Sequence, residues 1–227
     1  MKKPNPITDF MAEIEAECAR ANMAFDLRAI LFCIRDIPYG RPASPRDPVS
    51  VLTDWKGTCS GKHLLVHTIL DALGLRSKLF CLPYLLDNAL NTLPREVVQV
   101  YMGQGVWDVH NYLEIDTPTG PVNVDVTWAR ELAEFGFPAT LHWDGKHDFR
   151  IAAPVGEPVL VSSDVDLTST KEQLLQRLNP GAARVLRERY IEDLSVFASN
   201  YSTLGARANG IAATLHDIRR RYAHPGA

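Results

Sequence analysis

Three side chains of the 227-residue chain have the types and the order that acyl-transfer chemistry needs. The first is Cys59, in Gly57-Thr58-Cys59-Ser60-Gly61. It stands where a strongly apolar helix begins. Unbonded backbone N–H groups and the positive end of the helix dipole stabilise an anion at such a place. A thiol there ionises more readily, and the thiolate is the nucleophilic form. Gly57 and Gly61 are expected to let backbone and substrate approach closely. Cys18 and Cys33 fall within or beside apolar helical stripes and read as small core residues. No pair of cysteines has C-x-x-C spacing, so neither a zinc-ribbon nor a thioredoxin-type motif is present.

The other two residues are His110, in Trp107-Asp108-Val109-His110-Asn111-Tyr112, and Asp125, in Val122-Asn123-Val124-Asp125-Val126-Thr127-Trp128. Both segments alternate with the period of a strand. Asp116-Thr117-Pro118-Thr119 between them reads as a turn. If it joins the strands as a four-residue turn, Ile115 faces Gly120 and His110 falls opposite Asp125. Directly opposed residues share a face, with Cβ atoms about 5 Å apart. A carboxylate so placed holds an imidazole by one nitrogen and leaves the other for the thiol. A slip of one residue would separate the two groups onto opposite faces.

The surrounding pattern must position these groups. A helix is expected over residues 9–22, capped by Asp9, with Phe10, Ile14, Cys18 and Ala21 on one stripe. A second follows Asp26, with Leu27, Ile30, Leu31 and Ile34 inward. Pro38, Pro42, Pro45 and Pro48 exclude a helix across 37–48, with a short turn after them at 49–55. Tyr39 and Trp55 lie on this stretch and can donate to an oxyanion, with packing as the competing role. The helix after Cys59 is apolar on more than one face, so it is read as central and buried, stopping at Gly74. Strands are expected at 77–82, 96–102, 107–115, 122–127, 140–143 and 158–161. Helices return at 170–178, 182–199 and 208–222. Helices, one long helix, antiparallel strands and helices again make an α+β pattern. The expected division is a core of residues 1–163 and a helical appendage of residues 164–227. The appendage stripes need a partner surface, expected on the same chain and shaping one side of the cleft.

The Gly57-Thr58-Cys59-Ser60-Gly61 helix start, the helix end Ala72-Leu73-Gly74-Leu75, the histidine strand and Val124-Asp125-Val126-Thr127-Trp128 resemble, in that order, the transglutaminase-like superfamily. The resemblance covers roughly residues 30–130. It implies a papain-like core, in which the helix bearing the cysteine packs on an antiparallel sheet. It also implies Cys59 as nucleophile, His110 as general base and acid, and Asp125 as the orienting carboxylate. Asn111 and Tyr112 depart from the His-x-Trp that many relatives carry. The spacings leave no room for large substrate loops, and no calcium-loop pattern is visible.

With 24 Lys and Arg against 27 Asp and Glu, the net charge is −3, which gives no pull toward nucleic acid or an anionic membrane. No apolar run is long enough to span a bilayer, and the N-terminus lacks a signal-peptide pattern. The expected setting is the cytoplasm, without cofactor or metal. The expected reaction is thiol-dependent hydrolysis or acyl transfer at an amide, ester or thioester of a peptide, protein or small molecule. It passes through an acyl-thioester on Cys59, with the Cys59 backbone N–H donating to the oxyanion. Two rival readings are an idle domain of this kind used to bind a protein, and a zinc hydrolase built on His63 and His67. Their i, i+4 spacing is metal-like, but the glutamate of H-E-x-x-H is missing and no third ligand suggests itself.

Overall fold

A computed structural model describes residues 5–153, 156–162, 166–202 and 207–222. The first four residues and residues 163–165, around the expected boundary, lie outside the described residues. Helix α1 spans Pro6–Arg20 and α2 spans Leu27–Arg35. Asp26 caps α2 as expected, accepting from the Ala29 amide at 2.9 Å. Helix α1 starts earlier than expected. Asn5 caps it, Pro6 opens it, and Asp9 sits in its first turn. The stretch 38–48 is irregular, and 49–55 holds a short helix, α3, Val49–Thr53. Helix α4, Cys59–Ala72, begins at Cys59 itself and ends before Gly74, whose φ is +72°.

Four strands follow: β1 (Ser77–Leu85), β2 (Trp107–Thr117), β3 (Gly120–Val124) and β4 (Val159–Leu160). They form one antiparallel sheet in the order β3-β2-β1-β4. Between β1 and β2 runs α5, Arg95–Val98, continued by a turn of 3₁₀ helix to Tyr101. A strand was expected there. Val97, Val98 and Tyr101 are buried, a spacing of a helical turn, and it prevails over the strand preference of the valines. Residues 140–143 are likewise not a strand. The Thr140 carbonyl accepts from Arg35 and the Trp143 amide donates to Tyr222, so side chains take the place of a ladder.

Helices α6 (Leu167–Leu178), α7 (Ala182–Asn200) and α8 (Arg207–Tyr222) follow. They do not stand apart from the rest of the chain. Leu167, Leu174, Ile211, Leu215 and Ile218 are buried in one apolar cluster with α1, α2, α4 and the sheet. Tyr190, Ile191, Leu194 and Ala198 are buried in a second, with Tyr84, Tyr101, Trp128 and Phe137.

A buried polar network joins the two ends of the chain. Arg35 and Asp36 are paired at 2.7 Å, Asp36 accepts from Thr214 of α8, and Arg35 donates to Thr140. Lys62 is fully buried and donates to the carbonyls of Arg35 and Thr127 at 2.8 and 2.9 Å. Burial pulls its ammonium down to about 7.

Packing accounts for both glycines of the Cys59 motif. A Cβ on Gly57 would lie 2.9 Å from the Lys62 stem and 3.0 Å from Val51, and one on Gly61 would lie 3.0 Å from Val51. They seat the start of α4 closely against α3, the backbone half of what was expected of them. Gly57→Ala is expected to lower stability in urea denaturation by about 1–3 kcal/mol through overpacking. Adding Val51→Ala is expected to recover part of that loss, because it removes one of the crowding groups.

Candidate active site

The first turn of α4 leaves its backbone donors open. Thr58 occupies the N-cap without a side-chain capping bond, and Cys59 is the first helical residue. The Cys59 side chain thus stands where the helix favours an anion. His110 lies on β2. Asp125 lies one residue beyond the end of β3 and meets the His110 Nε2 at 2.6 Å.

The pairing is reached in a register different from the expected one. Thr117 pairs with Gly120, so the turn holds two residues, Pro118 and Thr119, and Asp116 and Thr117 belong to the strand. Gly120 has a φ of +123° and the Thr117 hydroxyl donates to its carbonyl, which closes the tight turn. The register therefore differs by two residues. An even shift preserves the face, so Asp125 sits diagonal to His110 instead of directly opposite, and still reaches it. Two backbone donors hold the carboxylate: Thr127 N–H on Oδ1 at 3.0 Å and Ala152 N–H on Oδ2 at 2.7 Å.

Strand β3 pairs only with residues 113–117 of β2. Beyond its end, the chain turns to α4 for partners. The Val126 amide donates to His63 Nε2 at 3.0 Å, and the Thr127 carbonyl accepts from Lys62. His63 Nδ1 then carries the proton and donates to the Cys59 carbonyl at 2.7 Å. Both ring nitrogens of His63 are thereby engaged, and His67 Nδ1 is bonded to Ser77 at 2.7 Å. Among the described residues no group of three or more His, Cys, Asp or Glu is placed to hold a metal ion.

A group outside the three expected residues also touches the thiol. Lys171 of α6 is buried, with its Nζ 3.3 Å from Cys59 Sγ, 3.1 Å from Ser60 Oγ and 3.0 Å from Asn111 Oδ1. Ser60 donates to the same Asn111 oxygen at 2.8 Å. The Asn111 amide nitrogen is anchored on β1 by the Phe80 carbonyl and Cys81 Sγ.

These charges decide the state of the thiol. Burial pushes Cys59 up, but the Lys171 charge, a hydrogen bond to His110 and the His110 charge overcome it and hold the thiol at about 5. Burial pulls His110 down, but the Asp125 charge and hydrogen bond, with the contact to Cys59, raise it to about 10. Burial works against the Asp125 carboxylate too, and the His110 charge holds it well below the usual carboxylate range. Cys59 and His110 therefore rest as thiolate and imidazolium. Burial moves the other three cysteines the opposite way, Cys33 most of all.

Cys59 opens onto a cavity of about 730 Å³, walled by Tyr39, Pro45 and Thr58 on one side and by Lys171, Leu175 and Ile191 of α6 and α7 on the other. Ion pairs Arg46–Glu172 and Arg41–Glu188 link the 38–48 stretch to α6 and α7 at this cavity. Arg187 of α7, which also lines the cavity, pairs with the buried Asp108 of β2 at 2.8 Å. Tyr39 lines the cavity with its ring tilted on Trp128 at 4.4 Å. Trp55 does not line it. Its ring packs edge-on against Phe10 of α1, and its indole nitrogen is buried there without a hydrogen-bond partner among the described residues. Of the two roles open to Trp55, donor to an oxyanion or packing residue, the structure gives it the packing one, at a φ of +49° two residues ahead of Gly57.

Lys171 had a sequence signal. Leu167, Lys171 and Leu174 recur on the buried stripe of α6, so a lysine occupies a core position. Comparisons with protein-family models, curated proteins and solved structures found no match.

Iodoacetamide is expected to label Cys59 ahead of Cys18, Cys33 and Cys81 in the folded protein, read by peptide mass spectrometry. The labelling rate is expected to rise with pH through a midpoint near about 5, where the thiol gives way to the thiolate, and to stay level at neutral pH. Equal labelling of all four cysteines would contradict the arrangement.

Proposed function

We propose that the protein is a thiol-dependent acyl hydrolase or acyltransferase that acts on an amide or related acyl bond through an acyl-thioester on Cys59. The observation that carries this reading is the place of Cys59, at an open helix start beside the His110–Asp125 pair and facing a large cavity, and the lowering of its thiol agrees with it. The order of Cys59, His110 and Asp125, which resembles that of the transglutaminase-like superfamily, supports the same chemistry.

In this reading the Cys59 thiolate attacks the acyl carbon, the C–S bond forms, and the carbonyl electron pair moves onto oxygen. The Cys59 backbone N–H donates to that oxygen. The pair returns, the bond to the leaving group breaks, and His110 gives its proton to the leaving group. Neutral His110 next takes a proton from water or from an amine that attacks the thioester. The C–S bond breaks and the thiolate–imidazolium pair is restored. Asp125 keeps the imidazole oriented by Nε2 and balances its charge. Hydrolysis is the outcome wherever no amine is bound, since water is always at hand. Substrates that fit the cavity range from a peptide segment to a small amide or thioester.

A single-turnover reaction with p-nitrophenyl acetate tests the reading. The expected product is one acetyl group on Cys59, seen by intact-protein and peptide mass spectrometry, and its absence from Cys59→Ala. Asp125→Asn is expected to keep the fold and slow acylation on the order of 10²–10⁴-fold. With an amide substrate, which needs the imidazolium as acid, kcat/KM is expected to rise near about 5 and fall near about 10. Acetylation spread over surface groups, unchanged in Cys59→Ala, would overturn the proposal.

A further inference from the structure

We infer that Lys171 is a catalytic residue: its ammonium is the second donor to the oxyanion, supplied by the C-terminal helices to a thiol on the central one. This inference rests on the acyl-transfer reading of Cys59 and adds a residue to it.

Geometry carries the argument. Lys171 Nζ is 3.3 Å from Sγ, the atom that attacks. In the tetrahedral adduct, Sγ and the oxyanion are bonded to one carbon and lie less than a hydrogen-bond length apart. A donor already on Sγ therefore reaches the oxygen by redirecting one N–H, with no movement of α6. Its other two bonds go to Ser60 Oγ at 3.1 Å and Asn111 Oδ1 at 3.0 Å. Neither acceptor changes in the reaction, so Nζ stays in place when the thiolate is consumed.

Charge leads to the same role. Lys171 is buried, and its contacts in the site are Cys59 Sγ and two neutral oxygens, with no carboxylate among the described residues that it touches. Attack moves the negative charge from sulfur to oxygen. A fixed cation that follows the charge stabilises the transition state more than a donor serving only the thiolate. Nζ directs its N–H groups at three acceptors, Cys59 Sγ, Ser60 Oγ and Asn111 Oδ1, which is the geometry of a donor. In this cycle Lys171 donates hydrogen bonds, and the proton transfer is left to His110.

Tyr39, the remaining side chain expected as second donor, lines the same cavity and is the rival for this role. Two reagents separate the roles. Iodoacetamide is displaced at a saturated carbon without forming an oxyanion, so it reports the thiolate alone. The acetyl transfer from p-nitrophenyl acetate reports the thiolate and the oxyanion together. Lys171→Gln, Lys171→Arg, Tyr39→Phe and the wild type are compared with both across pH, after a thermal melt checks folding. In Lys171→Gln the alkylation midpoint is expected to move up from about 5. Above the new midpoint alkylation returns to within a few-fold of wild type, while acetyl transfer stays on the order of 10²–10³-fold down. Lys171→Arg, which keeps the cation, is expected to recover part of the acetyl transfer, and Tyr39→Phe to lose little.

Parallel losses in both reactions at every pH would overturn the inference, reducing Lys171 to a counter-ion. An acetyl-transfer loss found in Tyr39→Phe and not in Lys171→Gln would overturn it in favour of the phenol. If wild-type Cys59 reacts with neither reagent, the acyl-transfer reading fails, a result distinct from both.

Discussion

Everything at the candidate site depends on keeping one buried negative charge on sulfur. Cys59 is 5% exposed, and burial alone would make it a poor acid. Two cations from different elements, His110 on β2 and Lys171 on α6, together with the open start of α4, reverse that. Each cation then needs support of its own, because an unpaired buried charge is costly. Asp125 supports His110 and is itself held by two backbone amides. Ser60 and Asn111 support Lys171, and Asn111 is pinned to β1. The requirement to hold a thiolate thus ties together α4, β1, β2, the chain after β3, and α6.

A second set of buried charges builds the frame around the first. Arg35, Asp36 and Lys62 lie under the start of α4, and Thr214 joins them from α8. Arg187 and Asp108 join α7 to β2 close to His110. These groups are costly to bury and bring little net stability over apolar replacements. They specify position, since each bond is directional and, apart from the adjacent Arg35 and Asp36, the partners sit on different elements. The C-terminal helices are therefore bound to the site by polar contacts as well as by their apolar stripes.

The hairpin shows how a partly mistaken local reading still brought together two residues that are in contact, His110 and Asp125. A four-residue turn was expected at 116–119, and the chain makes a two-residue turn through Pro118 and Thr119. The side chains of a strand repeat every two residues, so an even register change keeps each on its face. His110 and Asp125 remained neighbours, diagonal in place of opposite. The segments expected as strands at 96–102 and 140–143 failed for different reasons. The first carried a helical spacing of buried residues. In the second, Arg35 and Tyr222 satisfy the backbone, and both partners are far away in sequence.

The sequence by itself determined what is local and periodic. Hydrophobic spacing located the two N-terminal helices, α4 and the three C-terminal helices, and alternation located β2 and β3. A cysteine between glycines at a helix start, a histidine on a strand and an aspartate just past the end of the next strand were legible because each lies in or directly beside one regular element. Only the tertiary structure decided what surrounds them. Lys171 follows Cys59 by 112 residues, and no local pattern says which stripe of α6 meets which end of α4. The same holds for Trp55, whose neighbour Phe10 belongs to α1. Short-range periodicity shows which face of an element is buried. The packing of distant elements chooses what that face is buried against, and at Cys59 that choice places Lys171 beside the thiol.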